Sequence, residues 1–237
     1  MDNLHDFNVS IFQKYSHINH SNHNTMTDLT NKPIEQHPFA PVLPANADIM
    51  MMGTFPPTQD KWAMPFHYPN FYNDMWRIYG AVFFDDVDYF RDGEQNRFDH
   101  KRIIKFMHVH NIASCPTVRS AIREEGNAAD KHLTVVESVN LADILTQVPK
   151  VQHIFTTGGK ATEILLGLLP KDKQLPKSKH PKTNQHMTYP ITDSTGKQRL
   201  LTLHRLPSTS RAYPLAFAKK VLAYQQFFIS VGKLPSA

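Results

Sequence analysis

Apolar residues along this chain fall into short runs that alternate between two spacings. Asp48-Ile-Met-Met-Met-Gly53 is a continuous apolar run closed by a glycine, the pattern of a short buried strand. After an aromatic and proline-rich stretch, Asn73 offers an N-cap, and Met75, Ile78, Tyr79 and Val82 share one helical face. A turn at Asp92-Gly93 leads into a helix over about 98–109, and Asn111-Ile-Ala-Ser-Cys115 fits a second strand. Residues 141–148 are helical in pattern. Val151 to Thr157 is β-rich and stops at Gly158-Gly159, and Ala161, Leu165, Leu168 and Leu169 then form a helical stripe. The runs 187–192 and 198–206 flank Asp193-Ser-Thr-Gly196 as a hairpin would. The last helix, about 211–231, places Phe217, Val221, Tyr224, Phe228 and Val231 at steps of 4, 3, 4 and 3.

Strands alternating with helices predict an α/β fold, a three-layer α/β/α sandwich around a short, mostly parallel central sheet. Residues 1–34 are rich in Asn, His, Thr and Ser and are expected to be a disordered tail, with a proline-rich loop over 33–44. Residues 35–237 are expected to form a single domain. In such a fold ligands bind beyond the carboxyl ends of the strands, which directs attention to 53–73, 113–118, 157–160 and 206–213.

Composition narrows the function classes. Of 237 residues one is cysteine, Cys115, so neither an internal disulfide nor a four-cysteine cluster can form. The 14 histidines include no H-x-x-x-H on a helix, and His108 and His110 read as a loop or strand end, so no metal site is expected. No apolar run approaches the roughly 20 residues of a membrane span. Met1 to Ser10 has neither the basic start nor the apolar stretch of a secretory signal, so a cytoplasmic, monomeric protein is expected. The formal charge is +5, unevenly spread. Residues 1–40 carry two Lys against three Asp and one Glu, a net of −2, and Lys171 to Lys182 holds five Lys against one Asp, a net of +4. A basic C-terminal half suits a polyanionic partner, although a solvated lysine loop explains 171–182 equally well.

Two segments carry candidate chemistry. Gly53-Thr-Phe-Pro-Pro57 is followed by Phe66-His-Tyr68, whose flat faces suit stacking, and by Asn73-Asp-Met-Trp76. Ordinary aromatic packing and helix capping by Asn73 would also explain it. His204-Arg-Leu-Pro-Ser-Thr-Ser-Arg211 lies between a strand and the final helix, and its hydroxyls, amides and Arg make a phosphate cradle. Capping of that helix explains one hydroxyl but not three.

Together the segments resemble the uracil-DNA glycosylase superfamily, in its mismatch-specific and hypoxanthine-glycosylase branch. The likeness rests on Gly53-Thr-Phe-Pro56, on Pro69 with Asn73-Asp-Met-Trp76, and on Leu206-Pro-Ser-Thr-Ser-Arg-Ala212, in that order over about 46–230. It implies a base-excision enzyme that flips a uracil or hypoxanthine nucleotide out of DNA and hydrolyses its glycosidic bond without a cofactor. By the same resemblance Asn73 orients the attacking water, and Phe66 or Tyr68 stacks on the base. The backbone of Gly53, Thr54 and Phe55 meets the base edge, and Ser114, with Asn111 as competitor, reads it. Ser208, Thr209, Ser210 and Arg211 grip phosphate, with His204 in a supporting role. The chain departs from the family pattern in two extra residues between Pro69 and Asn73, in Leu206 where the best-known branch has histidine, and in Arg211 where the motif has proline. Those departures keep a rival open: a non-catalytic module that binds damaged or single-stranded DNA. A small-molecule hydrolase, suggested by the His and Ser content, is the third reading, weakened by the lack of a G-x-S-x-G elbow.

Overall fold

The computed structural model describes residues 32–125 and 132–235. The tail expected over 1–34 lies outside the described residues except for 32–34, and Ile34 already opens a strand. In chain order the strands are β1 (Ile34–Gln36), β2 (Ile49–Met52), β3 (Ile112–Ser114), β4 (Val118–Arg123), β5 (Leu133–Ser138), β6 (His153–Thr157), β7 (Gln185–Thr192) and β8 (Gln198–Leu206). The α-helices are α1 (Met75–Phe84), α2 (His100–Val109), α3 (Leu141–Gln147), α4 (Gly159–Gly167) and α5 (Phe217–Ser230). No described helix is long and apolar enough to cross a membrane.

The fold is mixed α/β. Five strands make a mostly parallel sheet in the order β3-β2-β6-β8-β7, in which only β7 runs antiparallel. Strand β2 is enclosed by β3 and β6, and all four of its residues are buried, as its unbroken apolar run requires. Because side chains alternate along a strand, Ile49 and Met51 join Phe155 and Leu206 against Trp76, Phe106 and Phe228 of α1, α2 and α5. Met50 and Met52 join Ile154 and Leu203 against Leu141, Leu145 and Leu165 of α3 and α4. Helices therefore cover both faces of the sheet.

The polar ends of the large core aromatics are satisfied. The Trp76 indole donates to the His67 carbonyl at 3.0 Å and the Tyr79 hydroxyl to the Met51 sulfur at 3.7 Å.

Three expectations need correction. A second, antiparallel sheet of order β1-β4-β5 occupies part of the supposed proline-rich loop and a stretch with no assigned element. The final helix begins at Phe217, not near 211, after an extended Ala216 with no side-chain cap. His108 lies on α2 and His110 ends it, because Asp99 caps that helix through the Arg102 amide and the buried stripe of Ile103, Phe106 and Met107 carries it to its last turn. Among the described residues no group of three His, Cys, Asp or Glu is arranged to hold a metal ion.

Candidate functional site

Beyond the carboxyl ends of β2, β6 and β8 lies a cavity of about 540 Å³. The β2 end supplies Gly53, Thr54 and Phe55. The Gly53 carbonyl is fixed by the amide and hydroxyl of Thr117, at 2.8 and 2.9 Å. A Cβ on Gly53 would come within 2.6 Å of the Tyr68 hydroxyl, so glycine here is a requirement of close approach. Tyr68 has a left-handed backbone (φ 54) that turns its ring into the cavity, where its hydroxyl shares a 2.9 Å bond with Thr157 at the β6 end.

Gly158 follows with φ 116, and a Cβ on it would crowd Ser208 at 3.3 Å. That glycine lets the β6 and β8 ends pack together.

Asn73 lines the cavity just before α1. Its Oδ1 accepts from the Met75 amide at 3.0 Å, and its Nδ2 has no hydrogen-bond partner among the described residues. One end of the amide thus supports the helix start, and the other is available to a ligand. Ser208, Thr209, Ser210 and Arg211 also line the cavity, and the Thr209 carbonyl accepts from the amide of Asp74, the residue after Asn73, at 2.9 Å. Since α5 begins at Phe217 without a side-chain cap, these hydroxyls do not cap it, and helix N-terminal amides form no part of the loop. The Ser208 and Ser210 Oγ atoms instead accept from the Ser210 and Ala212 amides, both at 3.2 Å, which leaves their O–H groups as donors. Arg211 lies over the Tyr72 ring at 5.0 Å, at the cavity edge.

Three residues singled out in the sequence lie elsewhere. Phe66 is buried in the core against Trp76, and the residues that follow it, His67 and Tyr68, line the cavity instead. Ser114 is buried and its hydroxyl bonds the His67 ring at 3.3 Å. His204 shares the face of Leu206, as strand alternation demands, but that face leads to the core: its ring packs on Phe227 and bonds His153 at 3.2 Å. Asn111, the competitor of Ser114, precedes β3 at the opposite end of the sheet in a left-handed conformation, φ 55.

The cavity also holds residues that the motifs did not mark. His37 and Phe39 reach it from the segment after β1, and His67, Thr157, Gly158 and Gly159 are among its other lining residues. The aromatic pair His37-Pro-Phe39 and the double glycine after β6 were the available signals. His67 donates from Nε2 to the Ala40 carbonyl at 2.9 Å, so its Nδ1 accepts from Ser114. Burial lowers His67 from 6.5 to about 4, and burial together with the neighbouring His67 lowers His37 to about 4. Both rings are neutral at pH 7 and bring no charge, and both His67 nitrogens are already engaged.

Fold and cavity define an α/β protein with a pre-formed, aromatic-walled pocket at its strand ends, flanked by hydroxyls and an arginine. No family model matches the sequence, and no curated protein matches it either. The structure is similar to the solution NMR structure of a protein from Methanosarcina acetivorans described as a candidate uracil DNA glycosylase. The TM-score is 0.52 at 18% identity, over 82% of this chain and 98% of that one. That likeness is one of fold.

Proposed function

We propose that this protein is a monofunctional DNA glycosylase that hydrolyses the N-glycosidic bond of a deaminated base, uracil or hypoxanthine, in DNA. The observation that carries the reading is the convergence of Asn73, the aromatic walls Phe55 and Tyr68, and the Ser208–Arg211 loop on one cavity. Its volume lies within the range of about 300–1,000 Å³ usual for small-ligand pockets. Layering of helices on both faces of the sheet supports the α/β/α architecture in which such strand-end sites occur.

In this reading the damaged nucleotide swings out of the duplex and its base enters between Phe55 and Tyr68. Cleavage of the bond from C1′ to the base nitrogen leaves positive charge on the sugar and negative charge on the departing base. Hydrogen-bond donors at the pocket wall stabilise that anion. A water held by the Asn73 side chain adds to C1′, and its proton leaves to solvent or to the base. An amide is a weak base, but orienting the water suffices when the base departs first. Ser208, Ser210 and Arg211 hold the flanking phosphates.

One observation favours the rival lesion-binding module: the Asn73 oxygen is already engaged by the Met75 amide. A panel of duplexes carrying uracil, hypoxanthine, xanthine or a G·T mismatch separates the two. After incubation with purified protein and hot alkali, strand breaks at uracil or hypoxanthine are expected. Tight binding to a lesion with no break on any substrate would establish the rival.

A further inference from the structure

The final helix buries a charged residue. Lys220 is 1% exposed and Asp74, next to Asn73, is 6% exposed. The Lys220 ammonium lies 2.8 Å from Asp74 Oδ2 and donates to the Ser210 carbonyl at 2.8 Å. The Asp74 amide donates to the Thr209 carbonyl at 2.9 Å, and its other carboxylate oxygen faces the Arg211 Nε at 3.5 Å. One turn beyond Lys220 on α5 the Tyr224 hydroxyl donates to the Pro207 carbonyl at 3.0 Å.

Three carbonyls of one short loop, those of Pro207, Thr209 and Ser210, are therefore drawn inward by donors from beneath. A peptide unit whose oxygen is turned in presents its N–H side outward. The amides that share units with the Pro207 and Ser210 carbonyls are those of Ser208 and Arg211, and neither has a partner among the described residues, while the Ser210 amide, sharing a unit with the Thr209 carbonyl, donates to the Ser208 hydroxyl. The Ser208 and Ser210 hydroxyl hydrogens are free for the same reason given above. Arg211, restrained by Asp74, stays beside them.

We propose that Asp74 and Lys220 are positioning residues: their buried ion pair holds the Pro207–Arg211 loop with its carbonyls inward and its amides, hydroxyls and arginine outward, as a cradle for a DNA phosphate. The phosphate part of this inference rests on the glycosylase reading. The pair also ties the cradle to the start of α1. It thereby sets the distance between the gripped phosphate and Asn73, the residue just before Asp74. Lys220 and Asp74 contact the backbone of the loop and not the substrate.

The test compares Lys220→Met, which keeps the stem and removes the ammonium, with Phe228→Leu, which weakens the same helix away from the loop. Both are measured at a temperature where circular dichroism shows them folded. Lys220→Met should raise the Kd for a uracil duplex about tenfold and flatten the log–log salt slope by about 0.7 to 0.9, one phosphate contact. Phe228→Leu should change neither. Hydrogen exchange of the Asp74 amide, bonded to the Thr209 carbonyl, and of the Ser210 amide, bonded to the Ser208 hydroxyl, should quicken in Lys220→Met alone. Wild-type affinity, slope and exchange in Lys220→Met would overturn the proposal. Should Lys220→Met fail to fold, Asp74→Asn takes its place, and wild-type affinity and exchange there overturn it equally. A wild-type protein that binds no DNA would refute the glycosylase reading, while the exchange comparison would still decide whether the ion pair orders the loop.

Discussion

His67 shows how a single side chain records its surroundings. Enclosed by the Ala40 carbonyl, Ser114 and the rings of Phe66 and Phe39, its imidazolium would lose its hydration, so its pKa falls from 6.5 to about 4. The unfolded chain takes up this proton as pH drops through about 6.5, whereas the folded chain does so only near 4. Stability therefore rises with pH between those values and is complete above them. At about 1.4 kcal/mol per pH unit, lowering the pH from 7 to 5 costs about 2 kcal/mol from His67 alone. His37 and His204, both lowered to about 4, act in the same direction. Urea unfolding at pH 7 and pH 5 should show this loss in the wild type and about 2 kcal/mol less of it in His67→Gln. The same pH dependence in both proteins would mean that His67 is not held neutral by the fold. None of this was legible in the sequence, where His67 stands as one more flat ring, because its burial depends on contacts 27 and 47 residues away.

The elements that were legible are those whose pattern a single segment carries. The run forming β2 is uniformly apolar and α1 carries a helical stripe, while β6 and the β7–β8 hairpin were marked by β-rich residues closed by Gly158-Gly159 and by the Asp193–Gly196 turn. The β1-β4-β5 sheet was not legible. Its three-residue β1 is too short to show a period, and β4 breaks alternation at a register shift and buries Arg123. The stripe on α5 was found but out of phase. Lys220, Ala223 and Phe227 are buried where Phe217, Val221 and Val231 are only half-buried, since a lysine in the apolar face disguised its centre. The missed strand makes a direct prediction about truncation. Deleting residues 1–31 should leave melting temperature and excision close to wild type, given how few apolar residues that segment can bury. Deleting residues 1–40 removes β1, the Glu35 partner of buried Arg123 at 2.9 Å, and the His37 and Phe39 walls. That costs about 3 kcal/mol or more, a fall of roughly 6–12 °C, and lesion binding should be lost with it. Equal thermal scans and binding for the two truncations would show that β1 contributes neither.

At the scale of the molecule, the sequence order of the motifs predicts which loops meet, and they do meet: the 53–55, 68–73 and 208–211 segments share one cavity. What the order cannot convey is which face each side chain takes, and Phe66, Ser114 and His204 left the site on that account. Charge follows the same division. The basic stretch 171–182 is partly neutralised within the protein, with Lys177 2.6 Å from Glu163, while Arg211 remains half-exposed at the cavity edge. The arginine is the better-placed cation for a bound strand.

Asn73 carries a structural and a chemical duty at once in the proposed reaction. Serine in its place still offers an oxygen to the Met75 amide, so the helix start should hold and the melting temperature should stay near wild type. Serine offers no carboxamide to a water beneath the flipped nucleotide. The measurement is the single-turnover excision rate of Asn73→Ser on the lesion that the wild type cuts, with enzyme in excess and saturating. A fall of about tenfold or more, with DNA affinity nearly unchanged, is the predicted result. Excision at the wild-type rate by a normally folded Asn73→Ser would contradict the assignment, leaving Asn73 as a helix cap and the water-orienting group elsewhere in the cavity.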